Sequence, residues 1–253
     1  MIRSDSIHIP IACWSAWSPG LQSPEAWRNW SGDLGAIRPG PRPDVNFLPP
    51  MFRRRISTVS RTALRVAYDC VGTEGARKCG SVFASRYGEQ EMTLQLLNSI
   101  VAGVPLSPTH FSVSVHNVAS GLFSIANKNH HSSTAVAAME NTFSMGMLEA
   151  ACQWLRKPDQ PVLFVMSDEP TPDLYQQYIS APPLLYGLAL LLDQSEHART
   201  LPLSAFTNLS GNNGCDPLPP ALSFLHTFLQ TEEPQAGDLA GRGILNFTRT
   251  TPP

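Results

Sequence analysis

The stretch Phe111-Ser112-Val113-Ser114-Val115-His116-Asn117-Val118-Ala119-Ser120-Gly121-Leu122-Phe123-Ser124-Ile125 decides how this chain is read. Phe111 to Val115 reads as a strand, and Asn117, Gly121 and the Ser124-Ile125 pair follow it. Upstream, Ser81 to Ser85 is a short strand, and Glu91 to Ala102 is an amphipathic helix closed by Gly103. Downstream, Thr142 to Arg156 is a strong helix ended by Lys157-Pro158. Val162 to Met166 and Leu184 to Leu192 are strands of the buried kind.

Nearer the start, Ile7 to Trp14 alternates in part and stops at Ser18-Pro19-Gly20. Ser23-Pro24-Glu25 offers a capping hydroxyl, a proline where no N–H is needed, and an acid near a positive helix end. Pro39 to Pro50 holds five prolines in twelve residues and reads as a surface loop. From Arg53 to Cys70, apolar Ile56, Val59, Ala63, Ala67 and Cys70 recur every three or four residues, a helix with Arg53, Arg54 and Arg55 at a solvated entry. Strands alternating with helices predict an α/β fold with a mixed, largely parallel sheet. After Asp193, Ser, Asn, Gly and Pro dominate, leaving one short helix (Ala221 to Leu229) and a last strand (Gly243 to Thr248). The expected division is a domain at 1–195 and an irregular tail at 196–253.

With 253 residues, 42% of them hydrophobic and 15% charged, the chain can bury a sizeable core. A net charge of −2 gives no reason to expect nucleic acid or an anionic membrane as partner. No apolar run approaches the ~20 residues of a spanning helix, and the first residues lack a signal-peptide core. Five cysteines without a C-x-x-C pair fit a reducing, cytoplasmic setting with free thiols.

Taken in order, these segments resemble the amino-terminal half of the β-ketoacyl synthases, in the thiolase-like superfamily. The carriers are the first strand with its Pro19-Gly20 turn, Trp27 and Trp30, the Arg54 to Ala67 helix, the Asn117/Gly121/Ser124-Ile125 pattern, and Cys152-Gln153-Trp154-Leu155-Arg156 at the end of a long helix. The resemblance spans roughly residues 5 to 195 and implies a thiolase-like fold. It places the active-site cysteine at Glu140 or Asn141, where there is none. A thiolate nucleophile activated at a helix start is what the family's chemistry needs. By the same resemblance, the second half that carries the family's two histidines is expected to be absent, with about sixty residues after the matching segments.

A shortened, cysteine-less ketosynthase half is similar to the chain-length factors of type II ketosynthase pairs, in particular the short kind of aryl polyene clusters. By that resemblance the chain is no enzyme on its own and needs no cofactor. It forms a heterodimer with a catalytic ketosynthase, meets acyl carrier protein only indirectly, and limits the tunnel for the growing acyl chain. The tunnel residues so implied are His110, Phe111, Met139, Phe143 and Met147. The interface residues are Val113, Val115, His116, Asn117, Gly121, Ser124, Ile125, His130 and His131. Independently, the Thr142 to Arg156 helix is apolar nearly all round and requires cover from the tail or a partner.

Two other readings stay open: a decarboxylating enzyme that uses Glu140, and an acyl-carrier-binding scaffold. The neighbours His130 and His131 point to opposite sides of an extended chain, and no carboxylate or cysteine stands at ligand spacing, so a metal site is not expected. Ser167-Asp168-Glu169 after a strand reads as a solvated turn, and Ser132-Ser133-Thr134 lacks a G-x-S-x-G elbow.

Overall fold

The computed structural model describes residues 7–38, 40–179, 182–207 and 218–231. Six strands, β1 (His8–Trp17), β2 (Gly80–Ala84), β3 (Ser133–Val136), β4 (Val162–Asp168), β5 (Tyr186–Leu192) and β6 (Arg199–Pro202), form one sheet in the order β3-β2-β4-β5-β1-β6. The helices are α1 (Pro24–Arg28), α2 (Pro50–Arg53), α3 (Thr58–Ala76), α4 (Gln90–Val101), α5 (Pro108–Ser112), α6 (Val118–Asn127), α7 (Thr142–Arg156), α8 (Asp173–Gln176), α9 (Ser204–Thr207) and α10 (Pro220–Gln230).

The sheet is mixed, with helices on both faces, but it is not largely parallel as the strand–helix alternation led one to expect: three of its five pairings are antiparallel. Parallel pairing is confined to β3–β2–β4, while β4–β5, β5–β1 and β1–β6 are antiparallel. Between β4 and β5 stands only the one-turn α8 rather than a crossover helix, and the chain returns in the opposite sense. β4 and β5 are central and buried along almost their whole length, which is why their sequences are continuous apolar runs.

Alternate residues of β4 feed two cores. Phe164 and Met166 join Trp14, Trp27, Phe143, Met147 and Phe224 beneath α1, α7 and α10. Leu163 and Val165 join Trp17, Leu64, Phe83 and Phe123 beneath α3 and α6. Cover for α7 comes in part from the tail, since Phe224 of α10 meets Phe143 at 5.4 Å between ring centroids. Gly146 lets α7 lie close to the sheet: a Cβ there would stand 2.7 Å from Phe164 Cε2 and 3.0 Å from Ala84 Cβ.

Three further sequence expectations are corrected. Phe111 to Val115 is not a strand. Ser107 accepts from His110 N–H, Pro108 sits in the first turn, and α5 runs to Ser112. The Ser112 and Ser114 hydroxyls then donate to Thr109 O (2.8 Å) and Phe111 O (2.9 Å), so the serines that made the segment look extended close turns instead. The Arg53 to Cys70 helix is two: α2 stops at Arg53, and α3 starts afresh where Ser57 Oγ accepts from Ser60 N–H at 3.1 Å. The edge strands β3 and β6 are additions, and the expected Gly243 to Thr248 strand lies outside the described residues.

Candidate functional site

Glu140, the position assigned to the nucleophile by resemblance, lies in a 3-10 turn (Met139–Asn141) that runs directly into α7. Met139 takes φ +52, a left-handed conformation unusual for a side chain of this kind, and so turns the chain sharply out of β3 and into the helix. Glu140 is exposed and forms an ion pair with Arg86, which comes from the loop after β2. Its own backbone N–H, with Arg86 adding, holds its carboxyl below the usual carboxylate range. An ionised carboxylate bound to a guanidinium is not an activated nucleophile.

Behind this pair stands a polar cluster at the ends of β2, β4 and β5. Asp168 accepts from Arg86 N–H at 2.7 Å and from Ser85 Oγ at 2.9 Å through Oδ1, and from Tyr186 OH at 3.2 Å through Oδ2. Burial pushes Asp168 up to about 6 despite these donors. His116 donates from Nε2 to Ser85 O at 2.9 Å, and Gly88, at φ +56, leaves room for its ring. The solvated turn expected at Ser167-Asp168-Glu169 is therefore an anchoring knot: Asp168 ties three strand ends together. Such an anchor could have been inferred only from tertiary pairing, because Ser85, Asp168 and Tyr186 lie far apart in sequence.

Among the described residues no thiol attends Glu140. Cys152 is exposed further along α7, and the thiol of buried Cys79 is pushed up to about 12 by burial. Among the described residues no group of three His, Cys, Asp or Glu side chains is placed to hold a metal ion.

The residues assigned to a tunnel do not come together within this chain. Phe111 is 62% exposed and Met139 56% exposed, and His110 is exposed at α5. Phe143 and Met147 are fully buried, with Phe143 wedged between Phe164 (5.6 Å) and Phe224 (5.4 Å). With α10 covering α7, both side chains are packed in the core of this chain.

The interface set is more coherent. Val113, Val115, Asn117, Gly121 and Ile125 line one groove of about 340 Å³, bounded on its other side by Phe52, Arg55 and Ile56. Ser124 lies on α6 and caps it, its carbonyl accepting from Asn129 N–H at 2.9 Å. His116 is turned inward onto Ser85, whereas exposed His130 and His131 precede β3, His131 Nδ1 meeting Gln160 at 2.8 Å. What the sequence reading missed is β3 itself, an outer strand paired on one side only. Beside it runs a polar ladder in which Gln153 on α7 donates to Thr134 (2.9 Å) and Glu149 (2.7 Å).

Comparison with known proteins agrees with this architecture. The profile described as "Beta-ketoacyl synthase, N-terminal domain" matches residues 27–238. A chain of the ketosynthase (ApeO) in complex with its chain length factor (ApeC) from Xenorhabdus doucetiae matches with a TM-score of 0.72 and 30% identity, over 89% of this chain and 93% of that one. The ishigamide ketosynthase/chain length factor (TM-score 0.56, 17% identity, 77% of this chain and 64% of that one) shares the fold. So does a β-ketoacyl synthase from Burkholderia phymatum STM815 (TM-score 0.59, 13% identity, 75% and 59%). A search of curated proteins returned no match. The chain belongs to the β-ketoacyl synthase amino-terminal domain family, with its thiolase-like fold. Its likeness to a ketosynthase–chain length factor complex supports a ketosynthase-like partner subunit. No helix among the described residues is long and apolar enough to cross a membrane.

Proposed function

We propose that this chain is a non-catalytic chain-length-factor subunit that pairs with a catalytic ketosynthase and shapes the partner's acyl tunnel. The pathway would be of the polyketide or fatty-acid-like, aryl polyene kind, with substrates borne by an acyl carrier protein that this chain meets only indirectly. The observation that carries the reading is α4. None of its twelve residues is buried, and Leu97, Ile100 and Val101 are exposed at 46%, 57% and 89%. Val104, Leu106 and Phe111 continue the apolar exposure through the turn into α5. A helix with so little contact to its own chain is too short to be stable by propensity alone and draws its stability from packing, here against a second protein. The one-sided edge of β3 and the α6 groove supply further contact surface of the kind an obligate interface buries.

The Glu140–Arg86 ion pair favours the non-catalytic reading over a decarboxylase that uses Glu140, since the carboxylate is already committed to a cation. The test is co-expression with a full-length ketosynthase that carries the family's nucleophilic cysteine. The two should co-purify as a heterodimer, and incubation with an acyl-carrier thioester should leave an acyl adduct on the partner's cysteine alone. An adduct on this chain, or two proteins that purify apart, would sink the proposal.

A further inference from the structure

Between residues 38 and 65 the chain holds seven arginines (Arg38, Arg42, Arg53, Arg54, Arg55, Arg61, Arg65) and one carboxylate, Asp44. The fold gathers several of them. Arg61 donates from Nη2 to Arg53 O at 2.6 Å, Arg65 from Nη1 to Asp44 O at 3.2 Å, and Arg53 is fixed by Asn46. Burial first, and then the nearby charge of Arg42 and Arg53, lower the pKa of Arg61, and its Nε is buried without an acceptor among the described residues. Arg65 has Asp69 at 2.7 Å and Arg42 faces Glu169, but among the described residues no carboxylate pairs with Arg54 or Arg55, both exposed. A chain of net charge −2 has thus collected repelling cations on one short segment.

Arg55 also lines the groove, beside Phe52, Ile56, Val115 and Ile125, so the basic rim and the apolar floor are one surface. On its far side α6 packs on β3 and leads to the open sheet edge. We infer that this rim and groove receive an acidic amphipathic segment of the partner protein, its apolar side chains in the groove and its Asp or Glu side chains against Arg53, Arg54 and Arg55. The inference rests on the partner reading above and adds the sign of the partner's charge and the place where it bears. The concave shape of the site, about 340 Å³ between the Phe52–Ile56 turn and the Val113–Ile125 stretch, argues for an inserted protein segment. A nucleic acid or a flat lipid surface would leave that concave volume unfilled, whereas an amphipathic segment can enter it.

The test compares the full chain with R54E/R55E, each co-expressed with the same ketosynthase. Arg42 is kept because it also faces Glu169. Both variant and parent are first checked for equal thermal unfolding, with R54Q/R55Q in reserve should charge reversal unfold the chain. The complex of the double variant should be at least tenfold weaker. The parent's affinity should fall steeply between about 50 mM and about 500 mM salt and the variant's much less. A complex that forms with unchanged affinity and unchanged salt dependence overturns the inference while leaving the heterodimer intact. If the parent forms no complex at all, the partner reading fails. The rim is then probed with a labelled Glu/Leu amphipathic helical peptide and with phosphatidylglycerol vesicles. Peptide binding lost in R54E/R55E upholds the surface; no peptide binding, binding unaltered by the variant, or binding to the vesicles alone overturns it.

Discussion

Glu169, the residue after β4, carries a charge problem that the fold resolves by protonation. Its Oε1 is buried without a partner among the described residues, and so is Oε2 of Glu89, whose Oε1 takes the hydroxyls of Ser57 (2.9 Å) and Ser60 (2.5 Å). Burial pushes Glu169 up to about 8 from an ordinary 4.5, with Glu89 and Glu91 adding to the rise and Arg42 opposing it. At neutral pH the folded chain keeps a proton that the unfolded chain gives up, so more protons are bound in the native state and stability falls as pH rises. This contribution is fully present below pH 4.5 and lost as pH passes through about 8. Glu169→Gln, which cannot ionise, should therefore be stabilised relative to the parent at pH 8.5 and much less so at pH 5. Thermal unfolding of both chains across that range measures it, and parallel curves would show that Glu169 is solvated and ordinary.

Among the elements, α7 shows best why local propensity is a poor guide here. In an exposed helix, Gly→Ala stabilises by about 1 kcal/mol. At Gly146 the added methyl would meet Phe164 Cε2 at 2.7 Å and Ala84 Cβ at 3.0 Å, so the helix must rise from the sheet. Gly146→Ala should cost on the order of 1–3 kcal/mol, the scale of overpacking, read as a lowered urea midpoint with an unchanged slope. The bounds of α7, by contrast, were plain from residues alone, because Pro158 ends it and its apolar side chains recur with helical period. β4 and β5 were legible for a similar reason, as unbroken apolar runs belong to central strands. Phe111 to Val115 misled because serine hydroxyls that fit an alternating strand also bond carbonyls three residues back. The four-residue β3 was hidden because Ser133, Thr134, Ala135 and Val136 make an ordinary polar-to-apolar passage, made a strand by parallel pairing with β2.

At the scale of the molecule, one layer of helices is spent on each face of the sheet, and α4 and α5 are left over. The resemblance named Val113, Val115, Asn117, Gly121 and Ile125 as a set, but that they line one groove emerges only from the fold; the burial of Phe143 and Met147 was likewise hidden, since it depends on a tail helix some eighty residues away in sequence. If α4 is a surface meant for another protein, charging it should help the isolated chain and harm the pair. L97K/I100K should raise the solubility of the chain expressed alone, leave its unfolding midpoint within about 0.5 kcal/mol of the parent as exposed substitutions do, and abolish co-purification with the ketosynthase. A variant that still co-purifies would move the interface away from α4.

If the proposed non-catalytic role holds, the ion pair at the head of α7 has a wider meaning for how an active site can be retired. The start of a helix and a guanidinium together favour negative charge, the same electrostatics that would sharpen a thiolate. In Glu140 the chain supplies a tethered anion of its own to that seat. On that reading, what has been given up is vacancy rather than field: the seat survives, filled by an anion the chain itself carries.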